Sequence, residues 1–366
     1  MTSCAASAPA VPWDAAPAPG TETTSLTVAG CRTRQERLRR ELVAMGMRSA
    51  LLRDRRHVHY ATGFWCREAY RPLAIVAVDA PTILVAPYEP GSPVAADEVR
   101  AYASAAHGTL VDDQAAAARR DAEPCDADDD APPVADALRR LRRRKDDDEI
   151  AVLRAGFAAA EEAYAVARAA LVPGLDEVEL YAAMQAAAVR RVGEMIGEFG
   201  NDFQIGGTGS APRRRRCQAG ESAVLDVSVV VRGYASDMCR TFVVGGETSA
   251  AQREAHARVL AAIDDAVALI RPGVACAAVD AAIRPRLAGW RGLAFPHHLG
   301  HGIGLAPHEA PRVVPGSADV FAIGDVFTLE PGLYGPALRA GVRVEQAYRL
   351  DAAGPVPLTR FATDLG

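Results

Sequence analysis

Apolar residues recur three and four positions apart over 32–47, RTRQERLRRELVAMGM, where Leu38, Leu42 and Met45 share one side of a predicted helix ringed by arginines. Short apolar runs of strand length follow at Ser49–Leu52, Leu73–Val78 and Thr82–Pro87, with a further helix expected near 94–106 and a strand at Thr109–Val111. Together they describe a small α/β unit. The stretch 119–133, RRDAEPCDADDDAPP, is acidic and proline-bearing; it reads as a solvated linker and is where the domain boundary is placed.

Beyond the linker, helical spacing runs from Val134 to about Val172 through Leu138, Leu141, Ile150, Leu153 and Phe157, and stops at Pro173-Gly174. A new helix then starts with Asp176 as its N-cap. The same order returns downstream: an alanine-rich helix over 252–270 stops at Pro272-Gly273, and another follows from about 276 to 288. Each helix pair leads into a strand-patterned segment with two acids. The first is AVLDVSVVVRGYASDMCRTFVVG, with Asp226 and Asp237, which a hairpin would bring together at one end. The second is VFTLEPGLYGPALRAGVRVEQAYRL, with Glu330 and Glu345. Helix, Pro-Gly, helix and acid-bearing hairpin, repeated once, outline an internal duplication, with two carboxylates from each half meeting at its pseudo-twofold axis.

A chain of 366 residues exceeds the usual single-core limit. The expected division is a disordered Ala/Pro/Ser/Thr-rich segment at 1–28, an N-terminal α/β domain with its acidic linker at 29–133, and a catalytic domain at 134–366. A formal net charge of -5 argues against a nucleic-acid or membrane-surface binder, which needs a basic excess on one face. The seven cysteines, without a CxxC pair, read as reduced thiols. With no basic-then-apolar leader and no run approaching a membrane span, the expected location is the cytoplasm.

Asp226, Asp237, His301, Glu330 and Glu345 each lie in a strand-like or glycine-flanked segment that can aim a side chain inward from rigid backbone. Four carboxylates and one imidazole suit two divalent ions of the manganese, iron, cobalt or zinc type, and a calcium site would not need the histidine. The chemistry such a pair serves is attack by a hydroxide bridging the two ions. The segment 295–311, FPHHLGHGIGLAPHEAP, holds four of the chain's eight histidines. There Gly300 and Gly302 would let the backbone beside His301 approach a ligand closely, and His298 reads as a bystander. Arg213–Arg216 is most simply a solvated loop; its functional alternative is a clamp, through Arg213 and Arg214, on a substrate carboxylate. No GxSxG elbow, P-loop or GxGxxG is present, which counts against serine hydrolysis and nucleotide chemistry.

These residues resemble the pita-bread enzymes, the family of methionine aminopeptidase, Xaa-Pro aminopeptidase, prolidase and creatinase. The resemblance spans about 32–366 and is carried by RLRRELVAMGMRSALL with HYATGF, by RRRKDDDEIAVLRAG, GYASDMCRTF and GHGIGLAPHEAP, and by TLEPGLY and GVRVEQ. The small N-terminal domain points to the Xaa-Pro aminopeptidase, prolidase and creatinase branch. The resemblance implies an α+β fold: a C-terminal pita-bread domain, in which pseudo-twofold duplicated helix pairs lie on a curved antiparallel sheet, behind a smaller creatinase-like α/β domain. It implies Asp226, Asp237, His301, Glu330 and Glu345 as the five ligands of two metal ions. His297 and His308 become non-ligand histidines that contact the substrate and steady the tetrahedral intermediate, and Glu330 doubles as proton shuttle. A homodimer acting on a short peptide or small molecule is implied as well. Three departures stand out: GGTGSAPRRRRCQAGESAVLD lacks the histidine usual before the first aspartate, Ser228 replaces a glycine, and Gln346 stands where an acid commonly follows the last ligand. They keep open a non-peptide amide, amidine or cyclic substrate, hydrolysed or cleaved by a lyase at the same site. A binding protein without catalysis is disfavoured by the intact ligand set.

Overall fold

The computed structural model describes residues 24–366 apart from 67, 105–109, 121, 123 and 201. The segment expected to be disordered thus lies outside the described residues up to residue 23. The chain divides into two compact units, Ser25–Ile150 and Ala151–Gly366.

In the first unit, helix α1 (Val28–Ala44) is capped by Thr27, whose side chain accepts from Gly30 N–H. Strand β1 (Ser49–Leu52) and helix α2 (Arg55–Thr62) follow, then β2 (Leu73–Ala77), β3 (Ile83–Ala86), β4 (Glu98–Ala101), α3 (Val111–Arg120), β5 (Ala127–Asp128) and α4 (Pro132–Arg143). The sheet runs β4-β3-β2-β1-β5, with β4 and β5 parallel to their neighbours. Its two faces alternate as the pleat requires. Leu52, Val76 and Leu84 join Leu38, Leu42 and Leu138 in one core, while Leu51, Ile75, Ile83 and Val85 join Ala117 and Ala118 in the other.

Four expectations change here. The helix expected near 94–106 gives way to β4 at its centre, because pairing with β3 from Ile83↔Glu98 to Ala86↔Ala101 overrides local propensity. The strand expected at Thr109–Val111 has its first residue outside the described set, and Val111 opens a helix. The boundary also moves. Ala127 pairs with Ala50 in the sheet, and Val134 and Leu138 are fully buried in the first core, so the acidic stretch and α4 belong to the first unit. The long helix from Val134 divides too, since Arg144 is extended and α5 (Asp147–Ala170) begins afresh. The break gathers acids around the fully buried Arg34, which pairs with Asp148 at 2.8 Å and Asp146 at 3.3 Å.

The second unit holds most of α5, then α6 (Glu177–Val192), β6 (Phe203–Ile205), β7 (Ser222–Val231), β8 (Tyr234–Val243), α7 (Ala250–Leu269) and α8 (Cys276–Leu287). Short strands complete it: β9 (Gly300–Gly302), β10 (Glu309–Val313), β11 (Val326–Leu329), β12 (Gly332–Gly335), β13 (Ala340–Arg343), β14 (Gln346–Asp351) and β15 (Gly354–Pro357). Asp176 caps α6 by accepting from Val178 N–H, and Gly174 and Gly273 both take positive φ where the two long helices stop. The duplication is visible but unequal. β7 and β8 form one continuous antiparallel hairpin, whereas the second pair of acids lies where the chain passes between two sheets, β10-β9-β11-β14-β15 and β12-β13. Val259, Ile263, Val279 and Ile283 of α7 and α8 pack on Phe327, Leu329, Val342 and Leu350 to form the core of that half. No helix among the described residues is long and apolar enough to cross a membrane.

Candidate metal centre

The β7-β8 ladder sets Asp226 opposite Cys239 and Ser228 opposite Asp237. Asp226 and Asp237 therefore share one face on a diagonal, in the middle of the hairpin rather than at its end. α5 supports the opposite face. The Tyr164 hydroxyl lies 2.9 Å from the Leu225 carbonyl and 2.5 Å from the Met238 carbonyl, and a Cβ on Gly156 would meet Ser236 Oγ at 2.8 Å.

β11 pairs with β14 up to Leu329↔Gln346, so Glu330 and Glu345 leave the ladder side by side. Glu345 N–H donates to the Cys239 carbonyl at 3.0 Å, which ties this end to β8. His301 is the middle residue of β9. Its flanking glycines are required for close backbone packing of strands, not for approach to a ligand: a Cβ at Gly300 would sit 2.0 Å from the Thr328 carbonyl oxygen, and one at Gly302 2.1 Å from that of Ala310.

The five side chains converge. Ligating atoms of Asp237, His301 and Glu345 all lie within 4.8 Å of one another. His301 Nε2 stands 3.1 Å from Glu330 Oε1 and 3.9 Å from both Asp237 Oδ2 and Glu345 Oε1, and Asp226 hydrogen-bonds Asp237. Asp226 is also held by Arg343 Nη2 at 2.9 Å. The cluster opens into a cavity of about 1150 Å³ whose wall includes His297, His298, His308, Asp202, Tyr181 and Thr208.

The chemistry of these donors fits divalent cations. His301 Nδ1 lies 3.0 Å from the Gly302 carbonyl and can only donate to it, so in the neutral ring the Nε2 lone pair faces three carboxylate oxygens. Facing lone pairs repel unless a positive charge lies between them. Glu345 is 1% exposed, yet neither of its oxygens has a hydrogen-bond partner. Burial pushes the Asp237 and Glu345 carboxyls well above their ordinary range, reinforced by neighbouring carboxylates, and lifts Asp226 to about 6 against the pull of Arg343. Glu330 goes the other way: burial works to raise it, but the hydrogen bond from His298 and the closeness of the His301 ring outweigh that and hold it well below the carboxylate range. A site crowded with carboxylates that resist ionising together is what bound cations would relieve.

The histidines differ from what the sequence suggests. His297 Nδ1 donates to the His298 carbonyl at 2.9 Å, so its Nε2 accepts from the Tyr334 hydroxyl at 2.9 Å. With both nitrogens occupied and burial pulling it down to about 4, it is a neutral, anchored ring with no donor facing a substrate. His298 is no bystander: its Nε2 lies 2.6 Å from Glu330 Oε1, and that contact raises it above the ordinary histidine range despite burial. His308 sits at the cavity rim, its ring 4.0 Å from that of His301; partial desolvation of the ring, with the neighbouring His301 and His298, lowers it to about 4.

Arg213 and Arg214 do not line the cavity. Arg213 is held by the fully buried Glu177, its Nη2 3.0 Å from Oε2, and Arg215 pairs with Glu221 at 2.8 Å, so these two arginines staple their own loop. Arg343 and Tyr334 escaped the sequence reading. The signal for Arg343 was its place two residues before Glu345, the same side of an extended segment.

The model of metallopeptidase family M24 matches residues 151–352. A putative dipeptidase, YkvY, of Bacillus subtilis is 32% identical over 224 residues, 59% of this chain and 60% of that protein. A Xaa-Pro dipeptidase of Pyrococcus horikoshii is 36% identical over 152 residues, 41% of this chain and 43% of that one, so both matches span less than two thirds of the relative. Among solved structures, the prolidase of Pyrococcus horikoshii superposes with a TM-score of 0.73 at 22% identity, covering 91% of this chain and all of that one. Dipeptidase PepE of Mycobacterium ulcerans gives 0.71 at 26% identity, covering 93% and 98%. The fold is the α+β pita-bread fold.

Proposed function

Because the chain belongs to metallopeptidase family M24, we propose that it is a metal-dependent hydrolase of the Xaa-Pro peptidase type, cleaving the amide bond of a short peptide at a dinuclear centre. The observation that carries this reading is the lone pair of His301 Nε2 directed at oxygens of Glu330, Asp237 and Glu345. Asp226, Asp237, His301, Glu330 and Glu345 would hold the ions. Two ions bound there, of manganese, iron, cobalt or zinc, would polarise the scissile carbonyl and activate a water for attack.

The rest falls to side chains. Glu330, kept ionised by its histidine neighbours, accepts the proton of the attacking water and passes it to the leaving nitrogen. His308, neutral at the rim, donates an N–H to the developing oxyanion. Arg343 balances Asp226 and fixes its orientation. His297, with Tyr334, shapes the wall rather than binding the substrate. A homodimer is part of the proposal, supported by the resemblance alone, and a cytoplasmic location is proposed with it.

A second reading keeps the centre and changes the substrate to a non-peptide amide, amidine or cyclic metabolite. The loop 206–220 has no histidine, and its Arg213 is engaged with Glu177, which favours this reading. One experiment addresses both. The protein is reconstituted with each of the four metals, its metal content measured, and turnover of Xaa-Pro dipeptides, longer Xaa-Pro peptides and small cyclic amides compared. About two ions per chain are expected. A protein that retains none after reconstitution would sink both readings, and turnover of cyclic amides alone would select the second.

A further inference from the structure

Two adjacent histidines point in different directions, and the second one reaches the candidate centre. We propose that His298 is a positioning residue for the metal-binding carboxylate of Glu330, setting its orientation and thereby the affinity of the site for its ions. The inference rests on the metal reading above. Its Nε2–H donates to Glu330 Oε1 at 2.6 Å, the same oxygen that lies 3.1 Å from His301 Nε2. A carboxylate ligand is free to swing about its own bonds, and a hydrogen bond from outside the ligand set is the usual means of fixing it.

The surroundings hold the imidazole in place. Its ring meets His301 edge-on at 5.1 Å and His308 edge-on at 5.4 Å, both at 80°. Its backbone carbonyl receives the Nδ1–H of His297, whose other nitrogen accepts from Tyr334. His297 therefore anchors the backbone from which His298 reaches Glu330. The alternative is that His298 is itself a ligand, since its ligating atom lies within 4.8 Å of those of His301 and His308. Donation to Glu330 at 2.6 Å commits Nε2, and the nitrogen cannot ligate while it carries that proton.

The test is calorimetric titration of the stripped full-length protein with Mn²⁺ and with Zn²⁺, alongside its metal-free melting temperature. His298→Ala should bind the same number of ions as the unmodified protein with about 10- to 100-fold lower affinity. His298→Gln, whose amide keeps a donor, should recover most of the loss, and the metal-free melting temperatures of the three proteins should agree. Unchanged affinity in His298→Ala would overturn the inference. So would the loss of one whole ion per chain, which would make His298 a ligand, or a failure of Gln to rescue. If the unmodified protein itself bound no ion, the metal reading would fall first and this one with it, an outcome recognisable before any variant is made.

Discussion

His308 is the histidine at the cavity rim with its ring beside His301 and no structural anchor comparable to that of His297. His308→Ala should lower kcat by roughly 10²–10³ while the metal content stays unchanged. Steady-state kinetics paired with elemental analysis checks this, and metal lost in proportion to activity would mean that His308 ligates. At this scale the sequence displayed the acids and histidines well, because each stands against an apolar or glycine background that makes it conspicuous. It hid the residues that act by contact across the fold. Arg240, fully buried, donates to the carbonyl of Glu345 at 2.7 Å and to the side chain of Gln346 at 2.9 Å, more than a hundred positions away. The residue that replaces the usual acid after Glu345 is thus part of the frame that fixes Glu345. Nothing in GVRVEQ signals that. His298 misled for a related reason, since its role depends on where Glu330 returns.

Among the elements, the β7-β8 hairpin carries Asp226 and Asp237 and depends on how closely α5 can lie against it. Gly156 sets that distance, as its missing Cβ would stand 2.8 Å from Ser236 Oγ and 3.1 Å from the Val229 carbonyl oxygen. Gly156→Val should cost about 1–3 kcal/mol of stability by overpacking and weaken metal binding with it. Urea unfolding and metal titration of the same preparation would check both, and a variant with unchanged stability would show that α5 can retreat freely. The cap of α2 offers a pH test in the first unit. Burial works to raise Asp54, but hydrogen bonds from the Arg56 side chain and backbone outweigh it and bring the carboxyl down to about 2. A depressed carboxyl stabilises the fold at pH above its unfolded value of 3.8, and the contribution disappears as pH falls through about 2. Urea midpoints of the protein and of Asp54→Asn should therefore separate above pH 4 and converge near pH 2; curves that stay parallel throughout would contradict it. Helices α1, α6, α7 and α8 and the central strands β1, β2 and β3 were legible from spacing alone, whereas α2, α3 and the break between α4 and α5 were not. Nor was β4, because its pairing with β3 is a long-range fact that alanine-rich local sequence conceals.

For the molecule as a whole, the carboxyls at the centre bind protons and cations in competition. Asp237 and Glu345 sit well above the ordinary range and Asp226 at about 6, so taking up divalent ions must expel protons. Apparent metal affinity should rise with pH from 5 to 7, and calorimetric heats should differ between buffers of different ionisation enthalpy. Heats independent of the buffer would mean that the centre is already fully ionised. Chelation should also lower Tm, since an ion bound to the folded chain alone adds about 2.7 kcal/mol at a hundred times its Kd. The glycines that flank His301 carry a last consequence, for anyone reshaping this cavity. Neighbouring carbonyl oxygens fill the places where side chains at 300 and 302 would begin, at 2.0 and 2.1 Å. In a randomised library selected for a new substrate, both codons should therefore return as glycine. The exposed wall position Thr208 should meanwhile be free to diversify, which makes it a practical entry point for directed evolution, whereas Tyr181 is held by the Phe199 carbonyl at 2.8 Å and by the rings of Phe199 and Phe203.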